Sequence, residues 1–276
     1  MKHCPPAQAV SRLSAVERTL LVPLMARAWA ARCHLEDEVD AGASRALQRL
    51  GCVEPDWPDW VTWRLILWRT RWFRQWAREF FAQHPTALGM NLGAGLSDYF
   101  QWLNTSTNQW IDADQSRVMQ LRQRCLHPNP GARDVVLDIR RSDWWQRVQT
   151  PHSDASTASQ WVMLEGVLMY WTASQVRRFL HRLAQHAPAD TRLAFDVIPD
   201  WLVGWPIRVP SLSGRSAIFR WGIHGVCELA SIHPRLQVEQ VISSPSPWAL
   251  AIWPVSAGHA GWGPLTTYAL VQMRVR

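Results

Sequence analysis

Ala87-Leu88-Gly89-Met90-Asn91-Leu92-Gly93-Ala94-Gly95-Leu96-Ser97-Asp98 is the stretch that decides the fold. Its first half, Ala87–Leu92, is short and apolar, which reads as a buried strand. The strand ends in a Gly93-x-Gly95 turn. A second strand-like run, Gln109-Trp110-Ile111, closes on an acidic pair, Asp112 and Asp114, about 20 residues downstream, the spacing of a nucleotide-type site. Glycines in such a turn let the backbone approach a ligand closely. A carboxylate at the next strand end can accept hydrogen bonds from ribose hydroxyls. The third glycine of the dinucleotide fingerprint is missing, and Tyr99 and Phe100 stand near its place. That argues against a pyrophosphate on a helix N-terminus. It favours a nucleoside cofactor without phosphates, such as S-adenosylmethionine.

Outward from this turn the chain alternates. Strand-like runs at Ala87–Leu92, Gln109–Asp112, Asp134–Ile139, Gln160–Leu164 and Arg192–Val197 are interleaved with helical segments, notably Ser116–Arg124 and Thr172–His186, with Ser174 or Thr172 as candidate cap. Such alternation implies an α/β fold with a mostly parallel sheet covered on both faces. Gln237–Ser243 and Thr267–Val275 alternate apolar and polar residues and suit a terminal antiparallel pair. The expected architecture is a Rossmann-like, seven-stranded sheet. Residues 199–225, rich in Trp, Pro and Gly, read as an insertion before the last strand pair, on the substrate side. Ahead of the sheet, residues 1–84 read as a helical lid region. It comprises Leu13 to Arg32 with a kink or split at Pro23, Asp40 to Leu50 ended near Gly51, and a long helix from Val61 to Gln83. That long helix carries Trp63, Leu67, Phe73, Trp76 and Phe80 on one side and five arginines on the others. Residues 85–276 form the core, and lid and core make one structural unit. Thr150 to Ser159 is a polar, Ser-rich loop.

The composition is that of a globular protein: 276 residues, 47% hydrophobic and 18% charged. No apolar run approaches the ~20 residues that span a bilayer. No signal-peptide core follows Met1-Lys2-His3-Cys4, so a cytoplasmic protein with no membrane partner is expected. Five scattered cysteines without a CxxC pair suit reduced thiols rather than a disulfide framework or a zinc site, so no metal is expected. The net charge of +7 and pI of about 9.8 raise the question of nucleic acid. The arginines, however, are spread along helices beside acids, without a basic tract, and no nucleic-acid partner is expected. Nineteen tryptophans fill core for the most part, and some can line a pocket for a flat ligand.

Several blocks, in order, resemble the leucine carboxyl methyltransferase superfamily of class I S-adenosylmethionine-dependent methyltransferases. The likeness is to its bacterial branch of tetracenomycin-type polyketide O-methyltransferases. The blocks are Ser14–Ala28, Arg69-Thr70-Arg71-Trp72-Phe73, Asn91–Leu96, Trp110–Asp114, Glu165-Gly166-Val167-Leu168-Met169-Tyr170 and Phe219-Arg220-Trp221-Gly222-Ile223. The resemblance implies a cofactor site at the carboxyl ends of the strands. Gly93, Ala94 and Gly95 would pass beside the methionine part. Arg69 would reach the cofactor carboxylate, and Asp114 or Asp112 would hold the ribose. Asp138 with the Ile139 backbone would flank the adenine, Glu165 would face the amino group, and Tyr170 would sit near the methyl-transfer channel. Independently of the family, a carboxylate at the end of the buried run Trp161–Leu164 is expensive unless paired, which already points to Glu165. Two positions depart from the family pattern. Where the glycine motif usually continues Leu-Asp-Thr-Arg, this chain has Leu96-Ser97-Asp98-Tyr99. Where the arginine motif usually ends in aspartate, it has Arg74.

The implied activity is O-methylation of a small, aromatic or polyketide-like acceptor on a carboxylate or a hydroxyl. A carboxylate is already ionised, whereas a hydroxyl needs a proton acceptor, for which His224 or His152 could serve. Arg208, Arg215 or Arg220 could orient an acidic acceptor, Arg220 first because it lies in a family block. Trp201, Trp205 and Trp221 could form a flat pocket. Rival readings are a protein C-terminal carboxyl methyltransferase, an RNA-modifying enzyme, and a non-catalytic cofactor-binding homologue.

Overall fold

A computed structural model describes residue 10 and residues 12–35, 40–51, 60–148, 159–207, 217–245, 258–259 and 264–276. Its centre is a sheet of eight strands. In chain order these are β1 (Leu88–Leu92), β2 (Gln109–Asp114), β3 (Ala132–Val136), β4 (Trp161–Leu164), β5 (Arg192–Val197), β8 (Leu236–Ser243), β9 (Gly258–His259) and β10 (Ala269–Val275). The strand order is β3-β2-β1-β4-β5-β10-β8-β9, and a separate two-stranded ribbon pairs β6 (Pro206–Ile207) with β7 (Ala217–Ile218). The first five strands are parallel, and β10 runs antiparallel between β5 and β8. This is the Rossmann-like sheet expected, with the two-residue β9 added at its edge. The order reverses between β1 and β4, and open α/β sheets bind ligands at such a switch point.

β1 and β4 are buried along their whole length, as strands covered on both faces must be. One apolar cluster fills the face beneath α7 (Trp144–Val148) and α8 (Ala173–His186). A second gathers on the other face, where Phe73, Trp76, Phe80 and Phe81 of α4 (Trp60–Gln83) meet Trp110, Trp161 and Met163 of the sheet. The long helix is therefore part of the sheet's cover. Two of its five arginines, Arg69 and Arg74, are buried rather than solvated. A third cluster joins α2 (Leu21–Cys33), α3 (Ala41–Leu50), the start of α4 and α6 (Ser116–Cys125).

Local rules account for most element ends. Thr172 caps α8 with a reciprocal Thr172–Gln175 capping box, and Asp40 caps α3, which Gly51 ends in the left-handed conformation. The split in the first helical region falls before Pro23. α1 (Ala15–Arg18), opened by a Ser14–Glu17 capping box, ends at Thr19, and Pro23 lies in the first turn of α2. A proline is tolerated there because first-turn N–H groups have no helical acceptor. β3 begins and ends earlier than the apolar pattern suggests, so Leu137–Ile139 lies beyond the strand. The remaining short elements are α5 (Phe100–Leu103), a 3₁₀ turn at Leu168–Tyr170, a second 3₁₀ turn at Asp200–Leu202 that opens the insertion, and α9 (Cys227–Ala230). Cys4, Cys52, residues 150–158 of the polar loop with His152 among them, Arg208 and Arg215 lie outside the described residues.

Candidate functional site

A cavity of about 850 Å³ opens at the carboxyl ends of β1, β2 and β4. α1 and α2 lie over it, α4 forms one side, and the β6–β7 ribbon forms the mouth. Arg69, Gly93, Ala94, Gly95, Asp114, Asp138, Ile139, Glu165 and Tyr170 all line it.

The turn after β1 supplies the wall nearest the sheet. Gly93 sits at φ +79°, and a Cβ there would come within 2.5 Å of Val167 Cγ2. Gly95 (φ +53°) donates its N–H to Asp114 Oδ2 at 2.9 Å, and Gln115 N–H binds Asp114 Oδ1 at 2.7 Å. Each Asp114 oxygen keeps acceptor capacity toward the cavity. Burial pushes the Asp114 carboxyl up from its ordinary value, against the pull of the two N–H groups and Arg122.

Asp112, the other member of the acidic pair, does not line the cavity. It is fully buried beneath the turn, where it accepts from Asn91 Nδ2 at 2.8 Å and from Arg122 Nη2 at 2.6 Å. Arg122 reaches in from α6. It also binds Asp134 Oδ1 at 3.1 Å, Gly95 O at 3.4 Å and the carbonyl of Ser97. One guanidinium thus ties two strand ends to the glycine turn. Sequence reasoning missed it because nothing marks Arg122 among the arginines of its helix.

The departures from the family pattern have partners of their own. Ser97 Oγ donates to Ala94 O at 2.7 Å and accepts from Asn91 Nδ2 at 3.2 Å, closing the turn. Tyr99 is wholly buried and donates its hydroxyl to Glu165 Oε2 at 2.7 Å. Arg74 lies over the Trp102 ring at 4.7 Å, and Trp102 meets Tyr99 edge-on.

The charged end of the cavity is built on Arg69. Its Nε donates to Glu165 Oε1 at 2.8 Å, and its Nη1 to Asp196 Oδ2 at 3.1 Å and Tyr268 Oη at 3.3 Å. Thr70 Oγ1 adds a bond to Glu165 Oε1 at 3.2 Å. Burial opposes ionisation of Glu165. Arg69, Arg27 and the Tyr99 hydroxyl outweigh it and hold the carboxyl below its usual value, so it stays charged at neutral pH. On the opposite wall Asp138 is clasped by its own neighbour. Arg140 binds it through the backbone N–H at 3.0 Å, Nε at 2.8 Å and Nη2 at 2.7 Å. The Arg140 hydrogen bond lowers the Asp138 carboxyl.

Much of the remaining cavity wall is apolar, with Val16, Leu20, Leu65, Ile66, Trp205, Pro206 and Phe219 lining it. Tyr170 stacks on Phe219 at 6.0 Å between centroids, and Thr19 lines the same cavity. Burial raises the Tyr170 phenol. Val16, Trp201, Trp205 and Ile218 are exposed; of these Val16 and Trp205 line the cavity, and Trp201 meets Trp205 edge-on at 6.2 Å. Four expected acceptor-side groups among the described residues are not in the wall, Trp201 being one. Arg220 is exposed and ties only its backbone N–H to Met169 O at 2.8 Å. His224 is 73% exposed, with Nδ1 3.4 Å from Asp200 Oδ2. Trp221 packs into the core. Both polar residues lie on the outward side of a segment whose Ile223 is buried, so their sequence neighbourhood suggested a role that their direction does not give.

The family model for leucine carboxyl methyltransferase matches residues 17–184, more than half of the chain and the whole glycine turn, acidic strand and Glu165 region. The chain belongs to the leucine carboxyl methyltransferase family. It is 30% identical over 234 residues to the tetracenomycin polyketide synthesis O-methyltransferase TcmP of Streptomyces glaucescens, covering 83% of each chain, which places it in that branch of methyltransferases. Solved structures resemble the fold more distantly. Magnesium protoporphyrin IX methyltransferase of Synechocystis PCC 6803 with bound SAH is 10% identical, covering 89% of this chain and all of that one, with a TM-score of 0.49. An O-methyltransferase family protein of Burkholderia thailandensis is 11% identical, covering 83% and 60%, at 0.47. At those scores the family assignment leans on neither. Among the described residues no group of three or more His, Cys, Asp or Glu is placed to hold a metal, and no helix is long and apolar enough to cross a membrane.

Proposed function

We propose that the protein is an S-adenosylmethionine-dependent O-methyltransferase acting on a carboxylate or hydroxyl of a small, polyketide-like aromatic acceptor. The observation that carries this reading is the match between the cavity's charges and that cofactor. A cation and an ionised carboxylate, Arg69 and Glu165, stand side by side at one end, as the carboxylate and ammonium of an amino acid require. Asp114 faces the cavity where ribose hydroxyls would lie, and the Leu137–Ile139 segment offers apolar walls for the base. The open space beside Gly95, where an added Cβ would meet only Leu20, leaves room for the methionine part.

Bound S-adenosylmethionine supplies an electrophilic methyl carbon on a sulfonium. The residues of this chain contribute placement. The apolar walls exclude water and hold a flat acceptor against the stacked Tyr170 and Phe219 rings. Tyr170, held against Phe219 in the cavity wall, is the polar group positioned to orient the acceptor oxygen. The exposed Trp205 in the cavity wall, edge-on to Trp201, suits an acceptor whose rings extend beyond the cavity.

Incubation of the purified protein with S-adenosylmethionine and a panel of fused-ring aromatic acids and phenols, read by mass spectrometry, tests this. Products heavier by one methylene are expected, and alkaline hydrolysis separates methyl esters from ethers. A panel spanning both acceptor types and yielding no product, with the cofactor bound, would favour the non-catalytic homologue.

A further inference from the structure

Asp196 lies in none of the family blocks and does not line the cavity, yet it is a fully buried acid bonded to Arg69 in its wall. It sits in β5 opposite Leu270 of β10 and has no solvent exposure. Its two oxygens face different partners. Oδ1 accepts the Gly166 N–H at 2.8 Å, while Oδ2 accepts Arg69 Nη1 at 3.1 Å and the hydroxyl of Tyr268. Gly166 lies at φ +69°, and a Cβ there would stand 3.2 Å from Arg69 Nη1, so the guanidinium packs directly over this peptide. Glu165, the residue before Gly166, holds the same guanidinium by Nε.

We infer that Asp196 is a positioning residue for the amino-acid end of the cofactor, fixing the Arg69 guanidinium and the Glu165–Gly166 turn in one geometry, with the Tyr268 hydroxyl completing the hold. This rests on the reading of the cavity as an S-adenosylmethionine site. Without Asp196, Arg69 would be held only at Nε and Nη1 by Glu165 and Tyr268, and a long side chain so held can swing out of register. Asp196 also shares the Arg69 charge that would otherwise serve Glu165 alone, which leaves Glu165 more attraction for an incoming ammonium. Burial raises the Asp196 carboxyl above its ordinary value, against the pull of Arg69, Tyr268 and the Gly166 N–H. The sequence carried a faint signal: an acid within the apolar run Leu193-Ala194-Phe195-Asp196-Val197 needs a partner, by the logic that marked Glu165. Tyr268 carried none.

The test compares two probes in calorimetric titrations of the full chain. S-adenosylhomocysteine carries the amino-acid end; 5′-methylthioadenosine has the same nucleoside and thioether without it. Asp196→Asn offers one acceptor oxygen where two are needed. It is expected to weaken S-adenosylhomocysteine about tenfold while changing 5′-methylthioadenosine less than about twofold. Tyr268→Phe removes one hydroxyl and should shift the same ratio about threefold, which keeps the test open if Asp196→Asn fails to fold. In an Arg69→Ala background Asp196→Asn should add less than about twofold, because the residue acts through the arginine. Equal losses for both probes, or no loss for either in a folded variant, would overturn the inference in favour of a purely structural acid. Failure of the unmodified protein to bind either probe would instead overturn the cofactor reading on which it rests.

Discussion

Replacing Arg122 by Met should unfold the glycine turn from beneath. Arg122 is 5% exposed and Asp112 is fully buried, 2.6 Å from Nη2. Removal of the cation leaves a carboxylate with Asn91 as its remaining strong partner, and breaking a buried pair from one side costs about 3–5 kcal/mol. The carbonyls of Ser97 and Gly95 lose a charged donor as well, each worth on the order of 1 kcal/mol. Against a total stability of about 5–15 kcal/mol, Arg122→Met is expected to lower the urea midpoint sharply. The double variant Arg122→Met with Asp112→Asn should regain a large part of the loss, because no unpaired charge remains. Urea denaturation followed by far-UV circular dichroism gives both numbers. A single-variant loss below about 1 kcal/mol, or a double variant no more stable than the single, would refute the assignment of Asp112 as a structural brace.

Asp114→Ala is expected to do the reverse. Its carboxylate faces the cavity, so S-adenosylhomocysteine affinity should fall about tenfold with stability changed by roughly 1 kcal/mol or less, measured by calorimetry beside thermal melting. Gly93→Ala forces a side chain into φ +79° and within 2.5 Å of Val167, so a loss of about 1–3 kcal/mol is expected in denaturation, with weaker cofactor binding. Asp98 is pushed up to about 6, first by burial, with Asp112 and Asp40 adding to the rise and Arg122 opposing it. A carboxyl that holds its proton more tightly folded than unfolded makes the native state lose stability as pH rises from about 4 to about 6, and the loss then stays constant. The stability gap between Asp98→Asn and the unmodified protein should open across that window; a gap independent of pH would contradict it.

The sheet and its switch point were legible because periodicity reports burial. Trp161–Leu164 is apolar throughout and Ala87–Leu92 is so but for Asn91, a pattern that suits strands covered on both faces. β9 was invisible since two residues carry no period. The choice between Asp112 and Asp114 was open in sequence because both lie on one face of β2, and depth alone separates them: Asp112 is buried against Arg122 while Asp114 reaches the cavity. Pro23 marked the split of the first helical region, which falls just ahead of it, because a proline fits the first turn of α2 but not the interior of a continuous helix. His224 and Arg220 looked functional by residue type, but the backbone turns both outward. Asp196 on β5 and Tyr268 just ahead of β10 come to Arg69 from more than a hundred residues away in sequence, a proximity no local pattern encodes.

The central claim is that the cavity at the switch point takes S-adenosylmethionine, and calorimetric titration with S-adenosylmethionine, S-adenosylhomocysteine and NADH tests it most directly. The account predicts one site per chain with micromolar affinity for the first two and no heat of binding for NADH. Binding of NADH in their place, or no binding of either adenosyl compound to the folded protein, would contradict it.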